Sequence, residues 1–175
     1  MLRSVLFTFV LFLTVVPYSL GVFVLRLFGR APAYRLAVRW ARLIDRCARW
    51  LCGLRFAVAG QENMPARSSV VLMKHSSAYE TIMQMLLFPP QCWVLKRELI
   101  WAPFLGWGLA SLTPIAINRK GGHGSVAQVV EQGKARLDAG LWVVIFPEGT
   151  RMAPGETRRY GVSGALLARE AKCLL

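Results

Sequence analysis

"VLMKHSSAYETIMQML", residues 71–86, passes from an apolar run through the turn Lys74-His75-Ser76-Ser77 into a segment that reads as a helix. A strand followed at once by a helix is the repeating step of an α/β sheet. Two readings of His75 stay open on these residues alone. It is a general base oriented by Glu80, or it is a capping or core histidine at an ordinary strand-to-helix turn. Positions i and i+5 on one ideal helix lie roughly 140° apart. The two side chains therefore meet only if His75 sits in the loop and folds back over the helix start.

The same alternation continues outward. "LRFAVAG" (54–60), "SVVLMK" (69–74), "QCWVLK" (91–96), "TPIAIN" (113–118) and "LWVVIF" (141–146) read as strands, rich in Val and Ile and bounded by Gly, Pro or Asn. Segments 77–88, about 98–110, 123–138 and 162–170 read as helices. The expectation is an α/β sheet covered by helices, with functional residues on loops at strand ends. Three strand ends carry polar clusters: Lys74-His75 with Glu80, "INRKGGHG" (117–124) and "FPEGTR" (146–151). In "FPEGTR", Pro147 and Gly149 make a turn, Glu148 is able to hold a cation or hydroxyl, and Arg151 offers a fork that matches a phosphate. Arg119 and Lys120 add charge beside glycines. The order G-x-x-x-x-G-K-[ST] of a P-loop is absent, as is the G-x-S-x-G elbow that would make Ser76 or Ser77 a nucleophile.

The N-terminal third is of another kind. Ser4 to Leu25 are 22 residues without a charge, 15 of them Leu, Val or Phe. As a helix this run is roughly 33 Å long, close to the hydrocarbon thickness of a bilayer. It spans a membrane or lies in one leaflet, and Pro17 and Gly21 are candidates to kink it or turn it back. The small-x-small "APA" at 31–33 resembles a signal cleavage site, but the apolar run is longer than a usual signal core and Arg26 and Arg30 intervene. Next, Arg35, Arg39, Arg42, Arg46 and Arg49 draw one stripe along a helix. Leu36, Trp40, Leu43, Cys47, Trp50 and Leu54 run beside it, the layout of an interfacial helix. From Arg26 to Arg55 there are eight arginines and one acid, Asp45, which by the positive-inside rule places this side in the cytoplasm.

Composition agrees with a membrane surface. The chain of 175 residues is 55% hydrophobic, yet its 22 Lys and Arg face 9 Asp and Glu, a formal charge of +13. A nucleic-acid binder would spread its basic residues through a domain of moderate hydropathy, so that class is set aside. Cys47, Cys52, Cys92 and Cys173 form no C-x-x-C pair, and with His75 and His123 as the available imidazoles no metal site is expected.

Taken in order, these segments resemble the 1-acyl-glycerol-3-phosphate (lysophosphatidate) acyltransferases of phospholipid synthesis. "HSSAYE" matches that family's H-x-x-x-x-D block with Glu80 in place of Asp, "PIAINRKGG" resembles its second block, and F-P-E-G-T-R is present intact. "GQENMP" (60–65) and "LKREL" (95–99) resemble flanking segments. The resemblance covers roughly residues 55–165 and implies a membrane-associated helical segment over 1–54 and an acyltransferase α/β domain over 55–175. It implies that His75, oriented by Glu80, takes the proton of the sn-2 hydroxyl of lysophosphatidate. That hydroxyl attacks an acyl thioester of acyl-carrier protein or coenzyme A, giving phosphatidate with no further cofactor and no metal. By position, Lys96, Arg119 and Arg151 would hold the acceptor's phosphate, with Glu148 and Gly149 shaping that pocket. The family's fourth block, an apolar V-P-V-like strand, would begin where Leu175 ends the chain, so the domain is expected to be C-terminally incomplete. Another lysolipid acceptor and a catalytically silent lipid-binding protein remain as rival readings.

Overall fold

A computed structural model describes residues 1–118 and 123–175. The chain opens with α1, Leu2–Leu25, and a single 3-10 turn, Arg26–Phe28, ends at Gly29, whose φ of 114° suits a residue without Cβ. α2 follows over Arg30–Cys47 and runs into a π-helical turn, Ala48–Cys52, that stops at the left-handed Gly53. α1 continues through Pro17 and Gly21 instead of turning at them, because both of its halves have packing partners. A Cβ on Gly21 would meet Leu36 at 2.8 Å, so the two helices touch closely there. The Trp40 indole also donates to the Thr14 hydroxyl at 3.1 Å.

The arginine stripe of α2 faces outward as its spacing predicts: Arg35, Arg39, Arg42, Arg46 and Arg49 are all exposed. The face buried in the protein is offset from the Leu/Trp stripe. Ala33, Tyr34, Ala37, Ala41, Ile44, Asp45 and Ala48 are the buried residues, while Leu36, Trp40, Leu43 and Cys47 are half-buried flanks and Trp50 is exposed. Small side chains let helix axes approach, so an alanine stripe is chosen where α1 and the sheet domain press from two sides.

The strands are β1 (Val70–Leu72), β2 (Gln91–Lys96), β3 (Ile115–Ile117) and β4 (Trp142–Ile145). They form one parallel sheet in the order β1-β4-β2-β3. All four residues of β4 are buried, as a central parallel strand requires. Each such apolar side chain contributes about 1.5–3 kcal/mol on burial. One face of the sheet carries α5 (His123–Asp138) and α6 (Ser163–Ala171), whose Val129, Leu137 and Leu167 pack on Cys92, Ile115 and Val143. Trp93, one residue from Cys92, turns to the other face, where α1, α2, α3 (Tyr79–Leu87) and α4 (Leu105–Ser111) cover the sheet. The result is three layers, helices on both faces of a parallel sheet.

Two expectations change. Residues 54–60 form no strand, since they have no ladder partner despite an apolar pattern. The helix expected over 98–110 is divided into a 3-10 segment, Arg97–Trp101, and α4, because Pro103 and the positive φ of Phe104 (61°) break the helical path between them.

α4 lies against α1 through Gly108, where an added Cβ would meet Ser19 Cβ at 2.8 Å and Cα at 2.9 Å. Gly108→Val is expected to force these helices apart and lower stability by about 1–3 kcal/mol, read as a lower thermal unfolding midpoint in detergent. An unchanged midpoint would mean that α1 does not rest on α4.

Candidate active site

The site is built at the C-terminal ends of the strands, where parallel sheets leave backbone groups and loops free to converge. After β1 the chain pairs once more with β4, Met73 N–H to Ile145 O at 2.9 Å, and then turns through Lys74 and His75. α3 begins four residues beyond His75, at Tyr79, so the histidine lies in the loop. It folds back as the i, i+5 spacing demands: His75 Nδ1 is 2.8 Å from Glu80 Oε1. The same Glu80 oxygen accepts the amide N–H groups of Ser76 and Ser77, each at 2.6 Å. The Ser77 hydroxyl donates to Glu80 Oε2 and accepts the Tyr79 N–H at 3.0 Å. Ser77-Ala78-Tyr79-Glu80 has the S-x-x-E sequence of a capping box, and its Glu80 carboxylate takes the Ser77 N–H as in that motif, while the Ser77 hydroxyl takes the Tyr79 N–H. One carboxylate thus closes the start of α3 and holds the imidazole. Ser77 is engaged as a cap, not as a nucleophile.

Burial of Glu80 raises its carboxyl pKa, but the Ser77 hydroxyl and amide and the His75 ring outweigh it and bring the value down from 4.5 to about 2. Glu80 therefore stays ionised at neutral pH. A carboxylate on Nδ1 favours the tautomer that carries its proton there and leaves Nε2 as the acceptor.

The "FPEGTR" loop straps the His75 turn from the other side. The Phe146 ring lies against the imidazole, with centroids 4.4 Å apart. Glu148 is buried, and its carboxylate accepts Lys74 Nζ at 2.9 Å, the His75 backbone N–H at 3.3 Å and the Thr157 hydroxyl at 3.4 Å. The hydrogen bond from Lys74 is the main cause that holds its carboxyl below the ordinary 4.5, against the opposing effect of burial. Lys74 Nζ also donates to the carbonyl of Glu156 at 2.6 Å, and Met152 N–H donates to the His75 carbonyl at 2.8 Å. Both backbone groups of His75 are therefore held by the loop that follows β4. Gly149 turns that loop in the left-handed region, φ 69°.

His75, Lys96, Gly149 and Arg151 line one cavity of about 650 Å³. Its mouth carries the two exposed cations, and its floor is apolar, with Trp40, Ile82, Met85, Trp93, Leu105 and Leu109. Among the described residues neither Lys96 nor Arg151 has an ion-pair partner. Arg119 lies outside the described residues; the end of β3 that leads to it, Ile117, is paired with Lys96. Glu80 stands behind His75, and Glu148 lies beneath the loop with its oxygens taken. A second, larger groove of about 860 Å³ runs along the other edge of β1, between residues 56–60 and Leu174-Leu175, and contains none of the cationic residues. Among the described residues no group of three His, Cys, Asp or Glu side chains comes together to hold a metal.

Three roles were not read from the sequence, although Lys74 was noted there in a strand-end cluster and Asp45 as the one acid of the basic segment. Lys74 and Thr157 are partners of Glu148, which pattern alone does not reveal. Asp45, the one acid of the basic segment, accepts the Tyr79 hydroxyl at 2.9 Å and Arg49 Nε at 2.8 Å, tying α2 to the first residue of α3. This hydrogen bond and burial, burial being the larger, push the Tyr79 phenol up to about 12.

The depressed Glu80 carboxyl makes stability depend on acid. With a folded value of about 2 and an ordinary value of 4.5, its contribution is complete above about pH 4.5 and is lost as the pH falls toward 2. Glu80→Gln is expected to flatten the fall of stability across that window, measured by denaturant titrations at successive pH values. An unchanged slope would show that Glu80 is not hydrogen-bonded as described.

The family model named Acyltransferase matches residues 55–175. The chain is 38% identical over 172 residues to the 1-acyl-sn-glycerol-3-phosphate acyltransferase of Pseudomonas aeruginosa, covering 97% of this chain and 67% of that protein. It is 32% identical over 126 residues to the enzyme of that name from Borreliella burgdorferi, covering 71% of this chain and 50% of that protein. The chain thus spans between half and two thirds of the length of these relatives. The crystal structure of the 1-acyl-sn-glycerophosphate (LPA) acyltransferase PlsC from Thermotoga maritima superposes with a TM-score of 0.75 at 20% identity, over 99% of this chain and 71% of that one, and so shares the fold. With the family model over the sheet domain and a relative aligned along nearly all of its length, the chain belongs to the 1-acyl-sn-glycerol-3-phosphate acyltransferase family.

Proposed function

We propose that this chain moves a fatty acyl group from an acyl thioester to the sn-2 hydroxyl of lysophosphatidate, giving phosphatidate. The observation that carries the proposal is the His75 to Glu80 pair at 2.8 Å, with the imidazole lining the same cavity as Lys96 and Arg151. Lys96 and Arg151, together with Arg119, hold the phosphate of the acceptor, and the apolar floor takes acyl chain. His75 Nε2 removes the proton of the acceptor hydroxyl as its oxygen attacks the thioester carbonyl. Glu80 stabilises the imidazolium that forms. As the tetrahedral intermediate collapses, the carbon–sulfur bond breaks and the imidazolium returns its proton to the departing thiol. The thioester is already activated, so no acyl-enzyme is required. Glu148 acts one step back, since its negative charge faces Lys74 and the His75 peptide and not the cavity.

The acyl donor is acyl-carrier protein or coenzyme A thioester. α1 with its following turn, Leu2–Phe28, is the one helix among the described residues long and apolar enough to cross a bilayer, and it is mostly exposed. With the arginines of α2 beside it, it sets the domain on the cytoplasmic membrane, facing the cytoplasm.

Acyl transfer to lysophosphatidate by membranes containing the chain tests the proposal. His75→Ala is expected to lower kcat by about 10²- to 10⁴-fold. Arg151→Ala is expected to raise KM for lysophosphatidate by roughly 10- to 100-fold, the effect of losing a charge-assisted hydrogen bond. It should change KM far less for a lysolipid whose phosphate is a diester. Full activity in His75→Ala would overturn the assignment of the base.

A further inference from the structure

The segment between β2 and α4 has two faces. Leu105, half-buried, and Leu99, itself 45% exposed, line the active-site cavity. On its outer side Trp101 is 78% exposed, and Phe104 and Trp107 are 42% and 46% exposed. Large apolar side chains held in water in one group mark an interaction surface more often than chance exposure.

The turn from the 3-10 segment into α4 is held in this form. Phe104 sits at φ 61° and ψ −57°, a backbone region that a bulky residue occupies only when its surroundings impose it. Gly106 donates its N–H to Ala102 O at 2.8 Å, and a Cβ on it would lie 2.1 Å from the carbonyl of Ile100. Phe104 meets Trp107 edge to face at 5.3 Å, and Trp107 in turn reaches Phe23 of α1 at 6.0 Å. The aromatic group is therefore continuous with the exposed apolar surface of α1, which includes Phe9, Phe12 and Val16. Lys96, Arg97 and Glu98, all exposed, lead into it in the chain.

We propose that residues 97–107 are a second membrane-contact lip, in which Trp101, Phe104 and Trp107 enter the leaflet beside α1 while Leu99 and Leu105 face the cavity. The occupant of this surface is phospholipid. Aromatic residues beside Lys and Arg suit the headgroup boundary. The contact of Trp107 with Phe23 joins the two surfaces directly. The lip lets a lipid acceptor pass from the leaflet to the site without exposing its chain to water, an idea that rests on the proposed function for its kinetics but not for its binding.

Two measurements on the full chain in vesicles containing anionic phospholipid test it. The first compares quenching of tryptophan emission by acyl-brominated lipid and by aqueous iodide, in the unaltered chain and in Trp101→Phe. The emission that Trp101 supplies, the difference between the two, is expected to be quenched by brominated lipid and shielded from iodide; the reverse overturns the lip. The second follows acyl transfer in Trp101→Ser. The apparent KM for long-chain lysophosphatidate in vesicles is expected to rise roughly tenfold or more, with kcat/KM unchanged for a short-chain, water-soluble lysophosphatidate. Equal loss on both acceptors, or none on either, overturns the lip. If the unaltered chain uses neither acceptor, the proposed function fails, and the quenching result alone decides the lip.

Discussion

The buried carboxylate of Glu148 is the constraint on which the site depends. It ties the ends of β1 and β4 together by accepting Lys74 and the backbone N–H of His75 in one place. A carboxylate inside a fold is costly unless every lone pair is met, and once it is met, removal of a partner costs more than the pair contributed. The loop after β4 cannot move without leaving that charge unpaired. His75 is consequently presented from a rigid backbone, although it lies between regular elements.

A second tie links the apolar N-terminal helices to the same point. Asp45 on α2 receives the Tyr79 hydroxyl at the first residue of α3, and Glu80, the next residue, receives His75. The orientation of the imidazole and the seating of α2 thus share one short path of hydrogen bonds. This arrangement gives a physical reason for helices that look like a mere anchor to be packed against the sheet. Their alanine face supports α3, while the opposite, arginine face stays in contact with the surroundings.

Several features were legible because local rules govern them. Strand-to-helix alternation, the arginine stripe and the turn chemistry of Gly149 depend on neighbours within a few residues, and the structure follows them. The S-x-x-E capping pattern at Ser77–Glu80 was equally present in the sequence, and it explains why a glutamate five residues from His75 is able to reach it. Residues 54–60 show the limit of the same rules. An apolar β-like pattern says that a segment is fit for a sheet, but a strand exists only where a partner supplies the ladder. The face of α2 that packs inward was not read from the sequence for a related reason: close packing, which local pattern does not encode, selected the alanines.

The sequence by itself determined the fold class, which rests on periodicity, and the ordered motifs, by which it resembles the family. It also singled out His75, Lys96 and Arg151, which the structure brings to one cavity. Only the tertiary structure decided that Glu148 holds the His75 loop from beneath, that Lys74 and Asp45 take part, and that the segment after β2 shows one face to the cavity and another to the outside. Those relations join residues 34 to 74 positions apart, or depend on a backbone held in an uncommon conformation. No local propensity encodes them; they follow from how four parallel strands and their covering helices bring distant chain ends together.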